Sequence, residues 1–238
     1  MAVLLANRFA QQLSSSLGKP TGIEMTKIFG KITATVIVSL LAMQQSANAQ
    51  QYELLESSNQ ALSIKICATC HGSYGHGNPV VGGPSLAGLE PWYIKKQLQN
   101  FRSRYRGTQV DYLPGFEMRA SVETLSDEEI ESLLVSIQSW EARKPVATIS
   151  GDSSHGSELY ASCAACHGAS GEGNELLGAP GLAGRDDWYM LRQLKIFKSG
   201  YRGSHPDDSG GAQMRAGMQA LQTDQDMNDV LAYIGTLE

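Results

Sequence analysis

Cys67-Ala68-Thr69-Cys70-His71 and Cys163-Ala164-Ala165-Cys166-His167 hold all four cysteines of this 238-residue chain. In the C-x-x-C-H pattern each residue type has its own task, and the pattern is the attachment signature of a c-type haem. Positions i, i+3 and i+4 share one helical face, so both thiols reach the haem vinyl groups as thioethers while the imidazole points at the iron. Two such motifs imply two covalently bound haem c groups, with Cys67, Cys70, Cys163 and Cys166 as attachment residues and His71 and His167 as iron ligands.

Other chemistries fit these cysteines less well. Structural zinc takes four Cys or His ligands, whereas each cluster offers three. A thioredoxin-like pair needs a βαβ context, and no strand pattern flanks either motif. Disulfides are compatible with an exported protein, but leave unexplained the histidine that follows each pair.

An offset of 96 residues relates Cys67 to Cys163 and continues without a gap through GGPSLAGLEPWYIKKQL (82–98) and GAPGLAGRDDWYMLRQL (178–194). Phe101 then matches Phe197, Tyr105-Arg106-Gly107 matches Tyr201-Arg202-Gly203, and Met118-Arg119-Ala120 matches Met214-Arg215-Ala216. This is a duplicated domain. Ser126 with Glu129, and Thr223 with Asp226, read as caps that open a final helix in each half. Ile130, Leu133, Leu134 and Ile137 follow at helical spacing, as do Met227, Val230, Leu231 and Ile234. The coarse pattern of each half is a helix into C-x-x-C-H, a Gly-rich loop, a helix at W-Y-x-x-x-Q-L, a polar loop and the capped helix, and the fold class is all-α. The Pro, Gly and Ser content around 143–154 marks a linker. The expected organisation is an N-terminal extension and cleaved signal over 1–49, a first domain over 50–147 and a second over 148–238. Each unit is small for a self-sufficient core, and a covalently held haem supplies apolar interior.

Lys27 and Lys31 precede the apolar run Ile32 to Met43, and Ala47-Asn48-Ala49 supplies a small-x-small cleavage pattern. Export with cleavage near Ala49/Gln50 is expected, with the signal complete if translation starts at Met25. The run of about twelve residues is short of the roughly twenty that span a bilayer. The expected location is the periplasm. Without residues 1–49, which carry Arg8, Lys19, Lys27, Lys31 and Glu24, the chain keeps 15 basic and 23 acidic residues, a net charge of -8. No nucleic acid partner is expected, because a phosphate backbone is bound by basic patches. After Pro145 the balance is 6 basic to 12 acidic residues, an excess suited to orienting a basic partner or to solubility alone.

The second axial position on each iron separates a carrier from an enzyme. Outside the motifs only His76, His155 and His205 remain; His76 aligns with Glu172 and His205 with Gln109, so no further histidine recurs between the halves. Methionine does recur: Met118 and Met214 each lie 47 residues after their histidine, in the polar loop before the capped helix. An isolated Met is more often core filler. The matched placement makes Met118 and Met214 the candidate thioether ligands; Met218, a nearby rival, aligns with Val122.

With these motifs in hand, the chain resembles the dihaem cytochromes c of the cytochrome c4 type. The resemblance rests on C-x-x-C-H, G-x-P-x-L-A-G, W-Y-x-x-x-Q-L, the Met-Arg-Ala segment and the L-S-D-E-E-I helix start, and covers nearly all of the chain after residue 49. It implies two tandem class I cytochrome c domains about a pseudo-twofold axis, carrying electrons from a quinol-oxidising complex or dehydrogenase toward a terminal oxidase or reductase. It implies that Pro84 and Pro180 offer carbonyls to the proximal histidines. It also makes Arg106, Arg119, Arg202 and Arg215 candidates for neutralising haem propionates, against the plainer reading of surface arginines. The family's crossing of first and last helices through glycine and aromatic contacts is kept in Gly156, Tyr160 and Tyr233, whereas the first half has Gln60, Ile64 and Ser136. Trp92-Tyr93 and Trp188-Tyr189 read as core or haem-wall aromatics.

The expected function is therefore that of a redox carrier without catalytic residues, which contacts membranes only through its partners. The alternatives are a dihaem enzyme, either a peroxidase or a thiosulfate-oxidising cytochrome, and a dedicated cytochrome subunit of a dehydrogenase.

Overall fold

The computed structural model describes residues 64–237, together with Val36, Ser39, 42–46 and 48–51. Met1–Ser58 and Asn59–Glu238 are separate compact units. The described residues of the first unit are helical and exposed. Most of the expected signal, with Ala47 of its cleavage pattern, lies outside the described residues, as does Gln60. Among the described residues no helix is long and apolar enough to cross a membrane.

Helix α1 (64–71) ends on His71, the last residue of the first motif. Helix α2 (Pro91–Arg102) opens with proline in its first turn, where the missing N–H costs nothing, and buries Ile94, Leu98 and Phe101. Helix α3 (Leu113–Val122) leads into α4 (Asp127–Gln138), whose Ser126–Glu129 capping box forms as expected. Ile130, Leu133, Leu134 and Ile137 of α4 are buried. The second half repeats this order with α5 (Ser153–His167), α6 (Asp187–Lys198), α7 (Ser209–Gly217) and α8 (Asp224–Ile234), the last opened by the Thr223–Asp226 box. Among the described residues the only β pairing is two isolated bridges, Asn78 with Gly83 and Asn174 with Ala179.

One expectation is corrected. The segments that carry Met118 and Met214 are helices α3 and α7, where a polar loop was expected. Local chemistry starts them without an apolar stripe: Pro114 sits in the first turn of α3, and the Asp208 carboxylate accepts from the Gly211 N–H at the start of α7.

Each half has its own core. In the first, Ile94, Leu98, Phe101, Val122, Ile130, Leu134 and Ile137 pack together with Ile64 against them. In the second, Tyr160, Met190 and Phe197 meet Met218, Leu221, Met227, Val230, Leu231 and Ile234. Met227, Val230 and Leu231 are almost wholly removed from solvent; such side chains contribute about 1.5–3 kcal/mol each. The expected crossing is present in this half: Gly156 lets α5 approach the backbone of α8, and the Tyr160 and Tyr233 rings lie 5.3 Å apart.

Candidate functional site

His71 and His167 end α1 and α5 and are 7% and 8% exposed. The Nδ1–H of His71 donates to the Pro84 carbonyl at 2.8 Å, and that of His167 to the Pro180 carbonyl at 2.7 Å. Each bond fixes the ring orientation and leaves Nε2 as the free lone-pair donor. Burial pushes both imidazoles toward the neutral form, with the proline carbonyls opposing, and neutral imidazole is the form that ligates iron. The loop between histidine and proline folds tightly back on the motif. A Cβ on Gly83 would stand 2.1 Å from the Cys70 carbonyl oxygen, so only glycine fits there.

The four cysteines are not paired with one another. Cys70 and Cys166 are exposed; Cys67 and Cys163 are half-buried, and burial raises the pKa of both thiols. Among the described residues no group of three or more His, Cys, Asp or Glu side chains is placed to hold a metal ion.

Of the four candidate arginines, two lie between the two halves. Arg106 donates to Gln97 Oε1 at 2.9 Å in its own half, and to Gln193 Oε1 at 2.8 Å and the Tyr189 hydroxyl at 3.2 Å in the other. Arg202 mirrors it, donating to Gln193 Oε1 at 2.7 Å, Gln97 Oε1 at 2.8 Å and the Tyr93 hydroxyl at 3.1 Å. Both guanidiniums are buried. Burial works against the charge of Arg202, but Tyr93, Tyr189 and Asp208 more than offset it and hold the group above its ordinary range. Burial alone raises the pKa of the Tyr189 hydroxyl, yet the facing Arg106 and Arg202 outweigh it and pull the group below the usual phenol range. Arg119 instead binds the Gly107 carbonyl and Glu123, and Arg215 is exposed.

Nothing in the sequence says that these arginines, glutamines and tyrosines face one another. The signal available is that Tyr, Gln and Arg recur in both copies at positions the core does not need. Further bonds seal the same interface: Ser85 N–H to Asp186, Gly181 N–H to Glu90, and Tyr105 stacked on His205 at 4.4 Å. The linker is held by Asp187, which accepts from the Thr148 N–H and hydroxyl and the Ile149 N–H.

The donor set fits haem. Two buried cations bond only neutral oxygens, and Gln193 Nε2 and Arg192 Nε are buried without a partner among the described residues. Asp208 acts on Arg202 without a hydrogen bond to it, so two buried cations share one nearby carboxylate, and the two carboxylates of a haem would complete the balance. Met118 and Met214, the expected further ligands, are half-buried against the cores of their own halves.

The cytochrome c profile matches residues 60–139 and again 153–238. The chain belongs to the cytochrome c family. Its tandem arrangement is of the cytochrome c4 type, with two C-x-x-C-H sites for two covalent haem c groups. Relatives are consistent with this cytochrome's duplication. A "thiosulfate dehydrogenase electron acceptor" of Stutzerimonas stutzeri is 30% identical over 218 residues, 86% of this chain and 93% of its own. Reduced cytochrome c4 from Pseudomonas stutzeri superposes with a TM-score of 0.57 at 25% identity, covering 76% of this chain and 98% of that one. Thiosulfate dehydrogenase from Marichromatium purpuratum superposes with a TM-score of 0.57 at 26% identity; 71% of this chain is matched, but it spans only 36% of that chain.

Proposed function

We propose that this cytochrome is an exported dihaem carrier that takes electrons from a quinol-oxidising complex or a dehydrogenase and delivers them to a terminal oxidase or reductase, without making bonds in a substrate. The supporting observation is the reciprocal cluster of Arg106, Gln193, Arg202 and Gln97, which joins the two halves that each carry one proximal site. Bound haem supplies one-electron oxidation and reduction.

The protein residues have separate tasks. Cys67, Cys70, Cys163 and Cys166 retain the cofactor covalently, which suits a compartment where lost cofactor is not recovered. His71 and His167 would hold the iron through Nε2, and Met118 and Met214 would hold it through their thioethers and raise the potential. Arg106 and Arg202 balance the propionates. The periplasm is the proposed location, from the Lys27 to Ala49 signal pattern.

A near-infrared spectrum of the haem-loaded protein with a potentiometric titration tests this reading. Two haems per chain, a thioether-to-iron charge-transfer band of two-haem intensity and two high-potential waves are expected. A half-strength band together with peroxide-dependent turnover would replace the carrier by an enzyme.

A narrower reading is favoured by the Stutzerimonas stutzeri relative, which aligns over most of both chains and is named for accepting electrons from thiosulfate dehydrogenase. On that reading this chain is the dedicated acceptor of one dehydrogenase. Fixed-ratio co-purification with a larger enzyme, and reduction by it faster than by a quinol-oxidising complex, would select it.

A further inference from the structure

Between each proximal histidine and its proline the chain projects a short tip closed by an isolated bridge. Asn78 and Gly83 exchange backbone bonds of 2.7 and 3.1 Å, and Asn174 and Ala179 exchange bonds of 2.7 and 3.0 Å. Each tip is tied to its haem-attachment helix, through Gly77 N–H to the His71 carbonyl and Gly173 N–H to the His167 carbonyl, both at 2.8 Å. Each presents two adjacent aliphatic side chains to solvent. Val80 and Val81 are 92% and 47% exposed, and Leu176 and Leu177 are 96% and 50% exposed. Single exposed apolar residues are ordinary. An aliphatic pair at the equivalent positions of a bridged tip in both copies is a surface feature of the duplicated unit.

The tips differ in two respects. The first is partly used within the molecule, because Arg192 of α6 donates to the Gly82 carbonyl, whereas Gly178 at the equivalent place has no neighbour within 4 Å of an added Cβ. They also differ in charge. Residues 72–84 hold no Asp, Glu, Lys or Arg, while 168–184 hold Glu172 and Glu175, both exposed, and no basic residue. An aliphatic pair on a bridged tip, rimmed by acid and flanked by open space, complements an apolar seat rimmed by cations.

We propose that the Leu176–Leu177 tip is the docking port of the second half, and that its occupant is a redox protein presenting an apolar seat rimmed by lysine and arginine. This rests on the electron-carrier reading. The acidic rim steers the encounter and the leucines hold the complex, so salt and apolar truncation act on different stages of binding.

The test uses the haem-loaded full chain on gold coated with mixed methyl- and ammonium-terminated alkanethiols, a surface of the partner's chemistry. Retained mass is read on a quartz microbalance, and electron exchange by voltammetry. Leu176→Ser with Leu177→Ser should lower retained mass about fivefold or more, as the loss of two contacting aliphatic side chains implies. Glu175→Gln should weaken adsorption on the ammonium-containing layer but leave a pure methyl layer unaffected. Val80→Ser should change neither. Equal loss from Val80→Ser, no loss from the leucine variant, or stronger adsorption of wild type on a methyl and carboxylate layer would overturn the port. So would binding to phosphatidylcholine vesicles, or dimerisation, that is abolished by the same leucine variant. If mass is retained as expected but no reversible wave appears on any layer, the carrier reading fails while the surface itself stands.

Discussion

A Cβ at position 156 would fall 1.9 Å from the Asp229 carbonyl oxygen, so α5 and α8 touch backbone to backbone at Gly156. Gly156→Ala forces the helices apart and should destabilise the second half by about 1–3 kcal/mol, the usual cost of overpacking. Amide hydrogen exchange in α5 and α8 should accelerate while α2 and α4 keep their protection. Unchanged exchange in α5 and α8 would show that the crossing yields without cost.

The same helices are joined by charge. The His155 Nδ1–H donates to Asp229 Oδ2 at 2.8 Å, and Asp229 also accepts from the Asp152 N–H and Gln225. The bond to Asp229 raises the His155 pKa, burial opposes it, and Asp229, Asp226 and Glu158 add to it. This contribution is complete below the unfolded value of about 6.5 and is lost as pH rises through the higher folded value. The His155 bond, followed by those from Asp152 and Gln225, lowers the Asp229 pKa; that contribution is present above about 4 and is lost as pH falls through the depressed value. The pair therefore acts most strongly between about pH 4 and 6.5. In urea unfolding, the gap between wild type and His155→Gln should be widest near pH 5 and narrow by about pH 9. A gap constant with pH would mean that the ion pair contributes nothing.

Arg202→Met removes one buried charge and leaves Gln97 Oε1 and Gln193 Oε1 with one donor each, from Arg106. A stability loss of about 1–3 kcal/mol is expected from the lost bonds. Both reduction waves should also move to lower potential, by tens of millivolts at roughly the scale of one charge in a partly polar interior. A change in stability with both potentials unmoved would reduce the cluster to a structural clasp.

Met214→Ala should remove about half of the thioether charge-transfer intensity and lower one wave only, and Met118→Ala should do the same for the other. Retention of the full band by Met214→Ala would pass the ligand role to Met218, which is buried at the end of α7.

What could be read from the sequence follows from what leaves a local trace. The C-x-x-C-H helices, the Ser126 and Thr223 caps and the apolar faces of α4 and α8 are written in spacings of three and four, and the proline carbonyls followed from the family resemblance. Helices α3 and α7 carry no apolar stripe, because Gly115, Arg119, Gly210 and Arg215 interrupt it, and they emerge from capping and from packing on one side. The central cluster was the least legible part. Arg106 and Gln193 are 87 residues apart, and their meeting depends on how two complete domains pack.

With Arg106 bonded to Gln193 and Arg202 to Gln97, deletion of either half would take from the surviving arginine its acceptors across the seam and open to water the face on which it lies. The duplicated unit is therefore not merely repeated: each copy supplies the acceptor that the other copy's arginine uses, so a chain cut between them has two unfinished faces where the whole has one closed seam.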